Sequence, residues 1–151
     1  ISNLYGAHEI GGREVSKNTV INFFVNRALA GEPLTVYEPG SQSRNFVHVK
    51  DVANAFCLSV EALLEETEPG AREFEIASEE DPSVMAVAEL VQRVARDERG
   101  LDVDVSLVEN PRSAETLVDE FGVETSAIEA ALGWEPAETV EASVRDLLRA
   151  D

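Results

Sequence analysis

Short extended apolar runs alternate with apolar stripes at helical spacing along this chain, and that alternation restricts it to a mixed α/β architecture. Residues 1–4 read as a strand entering a glycine-containing loop over 5–17. Val20, Ile21, Phe24, Val25, Ala28 and Leu29 fall on one helical face, and Gly31 with Pro33 stops that helix. Leu34 to Tyr37 is extended and closes on a Pro39-Gly40 turn. Residues 45–49 alternate again. Asp51 is then placed to cap a helix reaching about residue 66, with Val52, Phe56, Val60 and Leu63 along one side. Pro69-Gly70 breaks it, and 73–77 is expected as the next strand. Ser83 caps a helix with the stripe Val84, Val87, Ala88, Val91, Val94 and Ala95, which Gly100 ends. Val103, Val105 and Leu107 alternate as a strand. Ser126 and Glu129 have capping-box spacing before a short helix ending at Gly133. A last helix over about 139–149 carries Val140, Val144, Leu147 and Leu148.

Composition narrows the function. The length of 151 residues fits one domain with a real core. A net charge of −18 excludes a basic nucleic-acid face, because phosphate contacts need clustered Lys and Arg. It also opposes anionic bilayers, and no apolar run approaches the roughly 18 residues of a membrane span. Lys17 and Lys50 are the only lysines, the other basic residues being Arg, while acids crowd Glu65-Glu66, Glu79-Glu80-Asp81 and Asp102-Asp104. Low lysine beside high acid points to adaptation to high salt, where screening relieves self-repulsion. A lone Cys57 in an apolar stretch is expected to be a buried small hydrophobe in a reducing cytoplasm. The opening Ile1-Ser2-Asn3-Leu4-Tyr5 has neither Met nor a charged leader, and reads as a strand entered in mid-course.

Reactive motifs are missing. His8 and His48 have no metal-ligand spacing, and His48, in an alternating strand, is expected to be packed or hydrogen-bonded. There is no nucleophile elbow and no P-loop. Gly11-Gly12 neither follows a hydrophobic strand nor opens a helix, so it is not a dinucleotide turn. Among 30 acids, carboxylate pairs carry no information.

Two stretches are more specific. Asn3-Leu4-Tyr5-Gly6, then the run from Gly31 to Tyr37, then the run from Ser43 to Ala53 resemble the second half of the extended short-chain dehydrogenase/reductases, the NAD-dependent nucleotide-sugar epimerases and dehydratases. Pro111-Arg112, Thr125-Ser126-Ala127 and Leu132-Gly133-Trp134-Glu135-Pro136 resemble that family's closing segment. The match is collinear over essentially the whole chain.

The resemblance implies an α/β chain over 1–151 that is the C-terminal substrate-binding lobe, plus the last strands of a Rossmann sheet. The NAD-binding half and the catalytic Tyr-x-x-x-Lys pair would precede Ile1, so no catalytic residue is assigned here. Tyr5 is no substitute, because Glu9 stands where the Lys would be. In the intact, UDP-glucose 4-epimerase-like enzyme, a ring hydroxyl would be oxidised by hydride transfer to NAD and the keto-sugar rearranged and reduced. The fragment itself is expected to be inactive. A homodimer is compatible with the resemblance. Asn3 matches a residue at the sugar-nucleotide diphosphate and Tyr37 an aromatic position beside the base. Arg44 and Arg112 match diphosphate-gripping arginines, whose guanidinium forks suit phosphate. Glu115 falls where an acid holds ribose hydroxyls.

The chain departs from the family at Glu38-Pro39 (Gly-Asp is usual), Asn45 (Asp), Asn22 (near a Pro), and Glu75 and Ala77 (Asn and Gly). These departures leave the fold standing and the precise substrate open. An alternative is a stand-alone nucleotide-sugar-binding or regulatory module without chemistry.

Overall fold

A computed structural model describes residues 1–67, 70–111 and 122–150. The strands are β1 (Asn3–Tyr5), β2 (Ala7–Ile10), β3 (Arg13–Ser16), β4 (Leu34–Tyr37), β5 (Phe46–His48) and β6 (Val105–Val108). The helices are α1 (Val20–Leu29), α2 (Val49–Glu65), α3 (Val84–Arg99), α4 (Ser126–Leu132) and α5 (Val140–Arg149). Two parallel pairs, β1–β5 and β4–β6, stand beside the antiparallel hairpin β2–β3. The expected α/β class is the one observed.

Helix positions follow the apolar stripes and their caps. The Ser83 hydroxyl accepts from Ala86 N at 3.1 Å to start α3, and Gly100 ends it in the left-handed conformation at φ 65°. Thr139 caps α5 through Ala142 N. Helices α1, α3 and α5 pack together, with β4 against α1 and α3, burying Phe24, Leu34, Val87, Val91, Val144 and Leu148 in the main core. A smaller core gathers Val47, Val52, Ala55 and Ile128 around Trp134, whose indole N–H donates to Asp51 O at 2.9 Å.

Several local expectations need correction. The 5–17 loop is largely the hairpin β2–β3, turned by Gly11 and Gly12 at φ 58° and 75°. Asp51 does not cap α2. His48 is the cap, its Nδ1 accepting from Lys50 N, while the Asp51 carboxylate accepts from Ala137 N and Glu138 N at 3.1 Å each. Thr125, not Ser126, stands at the α4 N-cap, without a side-chain cap bond, and Ser126 N donates to Glu124 Oε1 at 2.9 Å. Cys57 is exposed, since it lies on the outer face of α2.

Residues 73–77 form no ladder, although Ser2 N donates to Ile76 O at 2.9 Å. Just beyond them, the Asn45 side chain engages Ser78 as a strand neighbour would. Its Nδ2 donates to Ser78 O at 2.7 Å and its Oδ1 accepts from Ser78 N at 3.2 Å.

Candidate functional site

A cleft of about 460 Å³ opens between the start of α1, the end of β4 and the chain leading into β5. Backbone geometry brings its walls together. The parallel register sets Asn3 opposite Phe46, and Asn3 N and Nδ2 both donate to Asn45 O, at 3.2 and 3.0 Å. Thr19 Oγ1 donates to Leu4 O at 2.6 Å, which fixes the start of α1 against β1. Asn22 brackets Gly6, accepting from its N at 2.8 Å and donating to its O at 3.0 Å. Gly6 holds φ 84°, and a Cβ there would lie 1.9 Å from the His48 ring. That turn therefore requires glycine.

Asn3, Tyr37 and Arg44, three of the sequence-derived site residues, line this one cleft. The Arg44 guanidinium donates through Nη1 to Ser43 O at 2.9 Å, and its backbone N donates to Pro82 O at 3.3 Å. Tyr37 ends β4 opposite Val108 and is 47% exposed. Arg112 and Glu115 lie outside the described residues.

The electrostatics are as informative as the shape. No Asp or Glu is among the described residues lining the cleft, and Arg44 is the cation there. In a chain of net charge −18, an acid-free hollow with a guanidinium is fitted to an anion. A second cavity of about 360 Å³ is the converse: Glu79, Glu80, Glu129, Glu135 and Glu138 line it with Trp134. Such a surface repels phosphate.

Sequence reasoning missed Phe23 and Gln42. Phe23 is 39% exposed and lines the same cleft, with the Arg27 guanidinium 5.7 Å from its ring centroid. Gln42 is 6% exposed, and its Oε1 has no hydrogen-bond partner among the described residues. The available signal was the two-residue period that puts Gln42, Arg44 and Phe46 on one side of an extended run.

Tyr5 and His48 pack on each other inside the fold. Their rings meet edge to face, with centroids 5.1 Å apart. Burial pushes the Tyr5 phenol well above its ordinary value, and burial also lowers the pKa of His48. His48 is thus a packed, hydrogen-bonded residue, as expected. Among the described residues, β5 runs straight into α2 without a glycine, so a dinucleotide cradle of the glycine-turn type does not fit there.

Parallel strand pairs and covering helices define an α/β domain with an arginine-lined cleft. The chain belongs to the NAD dependent epimerase/dehydratase family, whose model matches residues 1–77. It is 35% identical over 136 residues to UDP-sulfoquinovose synthase of Sulfolobus acidocaldarius, covering 86% of this chain and 33% of that protein. It is 29% identical to UDP-glucuronic acid decarboxylase 6 of Arabidopsis thaliana, over 90% of this chain and 35% of that one. The chain thus spans about a third of the length of these curated relatives.

Among solved structures, UDP-glucose 4-epimerase of Thermotoga maritima with UDP-glucose superposes at a TM-score of 0.70 and 24% identity, covering 97% of this chain and 42% of that one. The dTDP-glucose 4,6-dehydratase of Bacillus anthracis, in complex with NAD, gives 0.70 at 20% identity, over 98% and 42%. These likenesses establish the fold. No helix among the described residues is long and apolar enough to cross a membrane.

Proposed function

We propose that this chain is the substrate-binding part of an NAD-dependent nucleotide-sugar epimerase or dehydratase, similar to UDP-glucose 4-epimerase and working in the cytoplasm. The observation that carries this is the convergence of Asn3, Tyr37 and Arg44 on one acid-free cleft. In this reading Arg44 holds the diphosphate with Asn3 beside it, and Tyr37 packs against the base. Arg112 and Glu115 complete the grip on phosphate and ribose. These residues bind and orient the ligand; the bound NAD supplies hydride transfer, and its pocket and the proton-transferring residues belong to the remainder of a longer enzyme. The chain by itself is accordingly expected to turn over no nucleotide sugar. Support for a longer enzyme comes from the relatives' length and from the uncovered apolar face of α2.

Titration of UDP-glucose into the full-length protein tests the reading. Arg44→Ala should weaken binding about tenfold or more, since a charge-assisted hydrogen bond contributes roughly 1.5–3 kcal/mol and about 1.4 kcal/mol is a decade. NAD affinity should stay unchanged. Ordinary UDP-glucose affinity in the Arg44 variant would refute the assignment.

A further inference from the structure

His48 sits where an added proton would be disruptive. It is 3% exposed and ends β5, in parallel register with Tyr5 of β1. Its Nδ1 accepts from Lys50 N at 3.1 Å and so caps α2. An imidazole nitrogen accepts only while it carries no proton, so this cap requires the neutral ring with its hydrogen on Nε2. Neighbours confine the ring. Tyr5 meets it edge to face at 5.1 Å, and a Cβ added at Gly6 would lie 1.9 Å from Nε2.

The charges around it do not prepare a place for an imidazolium. Burial acts most strongly and holds the ring neutral below the ordinary histidine range. Lys50 and His8, from α2 and β2, also oppose a positive charge, as does the positive end of the α2 dipole. Glu138 and Asp51 favour one, but both are engaged. Glu138 pairs with Lys50 Nζ at 3.0 Å, and the Asp51 carboxylate accepts from Ala137 N and Glu138 N. Glu14 of β3 and Asp146 of α5 line the same hollow of about 180 Å³.

The first turn of α2 also fastens a distant stretch. The Trp134 indole donates to Asp51 O at 2.9 Å, and the two bonds to the Asp51 carboxylate hold the chain that enters α5. We propose that His48 is an acid-sensitive latch, which when neutral caps α2 and steadies its junction with residues 134–138, and when protonated releases both. Protonation turns Nδ1 from an acceptor into a donor that faces the Lys50 N–H, so the cap bond is lost and a cation stands at a helix N-terminus. The opened state takes the proton more readily than the closed one. The junction is therefore firm at neutral pH and loosens as pH falls through about 6.5. This inference is independent of what the cleft binds.

Amide hydrogen exchange of the full-length protein tests it at about pH 7.5 and about pH 5.5, corrected for intrinsic rates, with α3 as internal reference. In the parent, protection over 49–56 and 134–140 should drop about fivefold or more at the lower pH, the usual effect of a lost cap. His48→Asn keeps a capping side chain that takes no proton, and its protection there should change by less than about twofold. His8→Asn should respond as the parent does. If His48→Asn does not fold, as judged by circular dichroism, the parent decides: the His48 ring resonance, assigned by its contact with Tyr5, must titrate with the same midpoint as the loss of protection. Unchanged protection in the parent, a response that persists in His48→Asn or vanishes in His8→Asn, or separate midpoints would each overturn the latch.

Discussion

Asn45 shows how much a single amide settles. It is 2% exposed and meets both backbone groups of Ser78, one bond donated and one accepted. A carboxylate at this position could accept from Ser78 N, but it has nothing to donate to Ser78 O. Asn45→Asp should therefore lower stability by about 1–3 kcal/mol, the usual penalty for a buried polar group left unmatched. Urea unfolding at pH 7 measures it, and a change within about 0.5 kcal/mol would contradict the bracket. The sequence marked Asn45 as a departure from the family without showing what it does, because its partner is 33 residues away. His48 was legible as a packed residue from strand alternation alone. Cys57 was not: the apolar stretch around it is real, but Cys57 lies on the exposed face of α2.

The same contrast holds for whole elements. Helices α1, α3 and α5 were readable because each has an apolar stripe that meets the others, and α3 and α5 also have side-chain caps. The hairpin β2–β3 was not read as strands, since β3 is exposed throughout and carries no apolar alternation. Its Gly11-Gly12 turn was the one available signal. Helix α2 is the exception among the helices. It has a clear stripe, yet of its 17 residues only Asp51, Val52 and Ala55 are buried. Phe56, Val60, Leu63 and Leu64 are 57%, 55%, 64% and 82% exposed. A face of this kind marks an interaction surface, which the proposed remainder of the enzyme would cover. On that account Phe56→Ala should cost about 2–4 kcal/mol in the full-length protein and less than about 0.5 kcal/mol in the chain alone. Denaturant unfolding of both forms decides, and equal small effects would count against a covered α2.

At the scale of the molecule, charge dominates. The α3–α5 surface is laced by Glu98 to Arg145 and Arg149, at 2.7 and 2.8 Å, and by Glu141 to Arg93 and Arg145, at 3.1 and 2.8 Å. Those two arginines push the Glu141 carboxyl down to about 2. Exposed pairs contribute little and are screened by salt, whereas the repulsion of 18 excess negative charges is relieved by it. The melting temperature should therefore rise from dilute to molar NaCl. A flat or falling curve would contradict adaptation to high salt.

The candidate site was legible only in part at this scale. Residue chemistry alone showed no reactive centre; the family resemblance supplied Asn3, Tyr37 and Arg44, and folding placed them along one cleft. Gln42 and Phe23 became visible only with the fold, because their importance depends on which side of a strand or helix meets the hollow. The central claim is that this cleft holds a nucleotide sugar by its diphosphate. A crystal structure of the full-length protein with UDP-glucose tests it most directly. The expected result is diphosphate density between Arg44 and Asn3, with the uracil ring against Tyr37. UDP-glucose seated elsewhere, with the Arg44 guanidinium touching none of it, would contradict the account.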